Sequence, residues 1–233
     1  MSQDDFAAQV SGVAALADPI RRTLYLYVAA QPSPVSRDEA SQRVGVARHT
    51  AKFHLDKLVE EGLLDTEYRR LSGRQGPGAG RPTKLYRRSG RQVSVALPAR
   101  RYDLAGELLA TAIEDSARLG TSAIEALQRA AADRGSVLGD QVRAHAGPRP
   151  SRERLVAATC ETLAACGFEP RRQHGTVTLA NCPFHALAAE HTDLVCGMNL
   201  ALVDALVTRV SEAKLVAELD PDPDRCCVVL RSR

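Results

Sequence analysis

Apolar residues recur at helical spacing from the start of the chain: Phe6, Val10, Val13 and Leu16/Ala17 predict a first helix. Asp18-Pro19 reads as an N-cap followed by Pro at the first helical position. It opens a second helix over residues 20–29, with Leu24 and Val28 toward the core. Gln31-Pro32-Ser33-Pro34 ends that helix. A short helix over about 36–44, a tight turn at Gly45 and a helix over about 47–61 follow, the last stopped by Gly62. The pattern then changes. Residues 63–70 and 84–88 read as two strands around a Gly/Pro/Arg loop at 72–82, and 93–97 as a further short strand before Pro98.

From Tyr102 the helical period returns, through Leu104, Leu108/Leu109, Ala112/Ile113 and Ala117. A further helix over about 122–132 carries Ile124 and Leu127, and residues 139–150 read as a linker. Neither helix looks long enough to form a domain alone; the pair suits a connection, a dimer seam, or both. The last part predicts a helix over 151–166, strands at 169–174 and 176–180 about Gly175, helices at 183–191 and 196–210, and strands at 214–219 and 226–230. The expectation is a helix-rich α+β fold with a DNA-binding domain at 1–98, connecting or dimerisation helices at 99–138 and a small α+β sensor domain at 151–233.

Composition narrows the class. The 233 residues hold 44% apolar and 25% charged residues, no Trp and nine Phe or Tyr, so the core is expected to be mainly Leu, Val and Ala. No apolar run approaches the roughly 18–20 residues of a membrane helix. The start, MSQDDFAAQV, is acidic and lacks a signal pattern, so a cytoplasmic chain without a membrane partner is expected. Six cysteines in that setting favour metal or redox use over structural disulfides. Charge is uneven: residues 1–100 carry +6 and residues 101–233 carry −3. Arg69, Arg70, Arg74, Arg81, Lys84, Arg87, Arg88 and Arg91 cluster at 66–91 against Glu67 alone. A basic first half with an acidic remainder suggests a phosphate-meeting module joined to one that is not.

Residues 36–61 fit helix, tight turn, helix. Ala40 is small where the two helices would cross, and Gly45 supplies the positive φ the turn needs. Val46, Ala51, Leu55 and Leu58 share one face of the second helix. The opposite face carries Arg48, His49, Thr50, Lys52 and Phe53, with Lys57 one turn on. Arg and Lys can donate to guanine or phosphate, Thr to either, and Phe53 can meet a thymine methyl, so this face suits a major groove. The basic two-stranded ribbon that follows would place Arg74, Arg81 and Lys84 beside the DNA backbone or in the minor groove.

Ala17-Asp18-Pro19-Ile20-Arg21-Arg22, the segment VGVARHTAKFHLDKLVEEGLL and Gly80-Arg81-Pro82-Thr83-Lys84-Leu85-Tyr86 resemble the ArsR-like winged helix-turn-helix regulators of bacteria. The similarity covers about residues 10–90. It implies that 47–61 is the recognition helix and 63–88 the wing. It also implies a homodimeric repressor acting on double-stranded DNA at an inverted-repeat operator.

Cys182-Pro183-Phe184-His185, Cys196 and Cys226-Cys227 form a second constellation. Cys182 precedes a helix, with His185 three residues on, and Cys196 opens the next helix. Cys226 and Cys227 begin the last strand, where alternate side chains point to opposite faces, so only one of them is expected at a shared site. Such soft or borderline ligands suit tetrahedral zinc or an iron–sulfur cluster. Cys160 and Cys166 fall at apolar helical spacing and are expected to be buried. His174 and His54 read as surface or groove residues, and His191 as a weaker ligand than His185.

A winged helix followed by NCPF, VC and CC resembles the SufR type, repressors of iron–sulfur assembly genes whose C-terminal cysteines hold a cluster. That resemblance implies an operator affinity controlled by a cluster at Cys182, Cys196 and Cys226 or Cys227. Two alternatives stand beside it: a structural zinc or no metal, with a small organic effector, and an enzyme using Cys182 and His185 as nucleophile and base. The absence of a Gly-rich nucleotide loop, a G-x-S-x-G elbow and an HExxH motif argues against an enzyme.

Overall fold

The computed structural model describes residues 3–70 and 82–233. They form a helix-rich α+β fold in two compact units, divided between Val95 and Ala96. Each unit has its own core.

The first unit runs α1 (Gln3–Ala15), α2 (Pro19–Ala29), β1 (Val35–Ser36), α3 (Arg37–Val44), α4 (Arg48–Glu60), β2 (Leu64–Arg69) and β3 (Thr83–Arg88). The local signals act as expected. Asp18 accepts from the Arg21 amide at 2.8 Å and caps α2, with Pro19 at the first helical position. Ser36 caps α3 by accepting from the Glu39 amide, and Gly45 ends it at φ 73°. Ala40 is fully buried, which lets α3 and α4 approach closely. Leu24, Val28, Ala51, Leu55, Leu58, Leu64 and Tyr86 complete the core.

The antiparallel sheet has the order β1-β3-β2, with Leu64 opposite Arg88 and Arg69 opposite Thr83. The strand expected at 93–97 is absent. Val93 packs instead beside Gly12 of α1, and the Ser94 amide donates to Gln9 Oε1. Arg91 of the basic cluster is tied internally, donating to the carbonyls of Glu61 (2.6 Å) and Ala8 (2.9 Å).

The second unit runs α5 (Tyr102–Leu119), α6 (Ala123–Ala146), α7 (Arg152–Ala165), β4 (Pro170–Gln173), β5 (Thr176–Leu179), α8 (His185–Glu190), α9 (Thr192–Arg209), β6 (Leu215–Leu219) and β7 (Val228–Ser232). Its antiparallel sheet has the order β4-β5-β7-β6. The linker expected at 139–150 is helix as far as Ala146. A Ser122/Glu125 capping box starts α6, which runs through Gly135 and Gly139 and is capped at Gly147. α6 packs along α9 at very short range. A Cβ at Gly135 would collide with the Leu202 carbonyl oxygen, and one at Gly139 with the Arg209 side chain. These glycines are contact points, not turn residues. The helices expected to be a separate connection at 99–138 share one core with residues 151–233.

Candidate functional site

The turn at Gly45 presents α4 with its apolar stripe inward and its polar stripe outward. Arg48, His49, Lys52 and Phe53 are exposed, and Thr50 and Lys57 are half-buried. Phe53 is 63% exposed, an unfavourable position for an aromatic ring unless something covers it. Arg48 is not idle: its guanidinium meets the Asp38 carboxylate through two nitrogens, one at 2.8 Å. The pair is exposed on both sides, which makes it weak and exchangeable for a phosphate or base. Lys57 reaches Glu60 (3.1 Å) and Glu61 (3.4 Å), and both raise its pKa.

His54 departs from the expectation of a groove residue. It is 7% exposed on the inward side of α4, its Nδ1 accepting from Arg21 Nε at 3.4 Å and standing 3.9 Å from Asp18. Its place between Ala51 and Leu55 on the inward stripe explains the burial.

On the wing, Arg74 and Arg81 lie outside the described residues. Lys84, expected to meet phosphate, is engaged within the unit. Its Nζ donates to Asp56 Oδ1 at 2.7 Å and sits 5.1 Å from the centre of the Tyr86 ring. Tyr86 OH donates to the same Asp56 oxygen at 2.9 Å, and Lys52 pairs with the other at 3.1 Å. Burial raises the Asp56 pKa, but these three donors outweigh it and hold the carboxyl below its ordinary value. Asp56 thereby clamps α4 to β3. Tyr68 is a missed surface residue, 65% exposed beside Arg69 and Arg70. It shares a face with buried Leu64 but lies beyond the end of the core; an aromatic flanked by arginines at a strand tip was the available signal.

The cysteine constellation is assembled from three segments of the second unit. Cys182 lies in the loop before α8. Cys196 is the fifth residue of α9, which begins at Thr192 and not at Cys196. Cys226 and Cys227 precede β7, which begins at Val228. They are therefore free of strand alternation, and the expectation that only one could reach the site gives way. Cys182 and Cys226, Cys226 and Cys227, and Cys227 and Cys196 lie near enough to act on one another's thiols. Among the described residues no three His, Cys, Asp or Glu side chains already form a metal cage.

His185 contributes only its backbone amide, which donates to the Cys182 carbonyl at 3.1 Å, and its side chain is exposed. His174 is exposed at the turn between β4 and β5, and His191 is exposed before α9. Cys166 is buried and Cys160 half-buried, both against the core, and burial raises both thiol pKa values.

The loops that carry Cys182, Cys226 and Cys227 are pinned by polar side chains. Asn181 Nδ2 donates to the carbonyls of Ala99 (2.9 Å) and Gly167 (2.6 Å). Arg100 donates to Asn181 Oδ1 and to the Cys182 carbonyl. Arg225 pairs with Asp220 (3.0 Å) and Asp222 (3.3 Å), closing the turn before Cys226, whose amide donates to the Leu179 carbonyl at 2.9 Å.

The bond with Cys226, together with burial, pushes the Cys182 thiol up strongly. For Cys226 the bond from Cys182 lowers the value, but Cys227 and burial outweigh it and leave the thiol at about 11. Burial raises Cys196. Without a cation these thiols hold their protons. A soft cation would supply the missing charge and displace the protons to solvent. The donor set of four clustered sulfurs therefore fits a thiolate-bound metal or cluster, provided the sulfurs turn from one another toward it.

No helix among the described residues is long and apolar enough to cross a membrane. No curated protein matches the chain. Residues 16–67 match the family model described as a helix-turn-helix domain, of the ArsR or winged-helix kind, and this supports a DNA-binding regulator.

Proposed function

We propose that the chain is a homodimeric repressor whose operator affinity is set by an iron–sulfur cluster or metal at Cys182, Cys196, Cys226 and Cys227. The observation that carries the DNA half is the exposed Arg48, His49, Lys52, Phe53 face of α4 inside the matched helix-turn-helix segment. The observation that carries the sensing half is the gathering of Cys182, Cys196, Cys226 and Cys227 from three segments, where Cys182, Cys196 and Cys226 hold their protons unless a cation replaces them. A bound cluster or cation would supply positive charge and, for a cluster, redox responsiveness. The protein's own part is to hold the sulfurs through Asn181, Arg100 and the Arg225 turn. Occupation and DNA affinity are linked reciprocally, with a typical coupling of about 1–3 kcal/mol.

A second reading takes the cysteines as a closed structural zinc site, which four protein ligands would complete. The effector would then be organic. A cleft of about 520 Å³ supports this reading, lined by Val156, Val177 and Leu215 together with Arg152, Arg172 and His174.

Iron, sulfide and zinc analysis of protein purified without oxygen separates the readings when combined with operator binding before and after metal removal. Iron and sulfide, with operator affinity changed on removal, support the first. One zinc with unchanged affinity overturns cluster control and leaves the second.

A further inference from the structure

Asn199 lies on α9, three residues after Cys196, and its side chain is shut off from solvent at 1% exposure. Its Nδ2 donates to Cys226 Sγ at 3.1 Å, while its Oδ1 has no hydrogen-bond partner. This is an expensive arrangement for a helix interior. A buried carbonyl oxygen left unpaired is destabilising, asparagine is a poor helix former, and leucine has the same branched outline without either penalty. The neighbours on this face of α9, Val195, Met198, Leu202 and Val203, are all apolar. A lone half-satisfied amide directed at a sulfur among them points to a task other than stability.

We infer that Asn199 is the positioning residue of the cysteine site, holding Cys226 by an amide N–H and compensating the negative charge of its sulfur once the site is loaded. This rests on the reading that the cysteines bind a metal or cluster. The chemistry follows from the amide itself. Four thiolates around one divalent cation carry net negative charge, and an N–H donor to sulfur lowers its cost. Turned by half a rotation, the same amide offers Oδ1 to the Cys226 S–H instead. One side chain thus fits both the thiol and the metal-bound thiolate, which neither leucine nor a fixed cation does.

The placement also explains why the donor is on α9. Cys196 and Asn199 fasten one stretch of this helix to the site. Leu202, three residues further, meets α6 where Gly135 lacks a side chain. Loading the site therefore bears on the helix pair that forms the spine of this unit.

The test uses the full chain, reduced and metal-free, titrated with Co²⁺, which reports thiolate ligation by its sulfur-to-metal charge-transfer band. The wild type is expected to show that band and Cys226→Ser to weaken it. Asn199→Leu is expected to bind Co²⁺ about 10–100-fold more weakly, the usual effect of losing an outer hydrogen bond. The charge-transfer energy should shift, while the metal-free protein melts no lower than the wild type. Asn199→Ala should show the same loss of affinity and covers the case in which leucine disturbs folding. Unchanged affinity and an unchanged band in the variants overturn the inference and leave the metal site standing. A wild type without the band overturns the metal reading itself, and the inference with it.

Discussion

The exposed face of α4 and the cysteine site obey different construction rules. The surface lies on one helix, in one run of six residues, and depends on a single turn at Gly45. The site draws on three segments between 182 and 227, and several polar side chains hold it together. A phenylalanine marks each place. Phe53 stands 63% exposed on α4, whereas Phe184, two residues after Cys182, is 1% exposed and packs edge-on against Phe168 at 6.3 Å between ring centres. The first surface can be altered without touching the fold; the second site and its fold are the same object.

The largest effect should come from Phe184→Ala. Emptying that volume is expected to cost about 3–5 kcal/mol and to loosen the cysteine loop, read as a fall in denaturation midpoint together with loss of metal uptake. If uptake survives intact, the site is more independent of its core than described. Asp56→Asn comes next, at about 1–3 kcal/mol, toward the lower end because Asp56 is partly exposed. It removes the clamp between α4 and β3, so operator binding should fall with stability.

Asp56 also predicts a pH dependence. Its folded pKa is depressed, so its stabilisation is complete above the unfolded carboxyl value of about 3.9. It is lost as pH falls through the lower folded value, and Asn in its place should flatten acid unfolding in that window. Arg48→Ala should weaken operator binding by about 1–3 kcal/mol if it reads a base, while the broken pair with exposed Asp38 costs about 0–1 kcal/mol in stability. The smallest stability change belongs to Phe53→Ala, within about 0.5 kcal/mol, yet operator binding should drop. A large stability loss there would mean that the ring packs within the unit, contrary to its exposure.

The same contrast explains what the sequence made legible. The α4 face could be read because period and polarity coincide along contiguous residues, as with Ala51, Leu55 and Leu58 against Arg48, Lys52 and Phe53. Where local pattern and tertiary partner disagreed, the reading slipped. His54 suggests an outward place by its polarity, although its position on the stripe is inward. Lys84 reads as a DNA contact because nothing in the sequence marks Asp56, 28 residues earlier, as its partner. At the cysteine site the sulfurs were identifiable as a set, but not the geometry. Cys226 and Cys227 read as strand residues in sequence, but both precede the strand, which begins at Val228. Asn181, Arg100 and Asn199 left no periodic trace, since each acts across a gap that only folding closes. The sequence reads α6 too short because Gly135 and Gly139 look like breakers, though both are contact points and the helix ends only at Gly147.

Those two glycines set how this unit can move. Side chains at an interface can change rotamer one at a time and let helices slide by small steps. Backbone laid against backbone has no such intermediate settings. At Gly135 the Leu202 carbonyl already occupies the space a methyl would need. The α6 and α9 pair should therefore behave as a single stiff beam, turning as one body or not at all, so that a signal entering it at one end arrives at the other undivided.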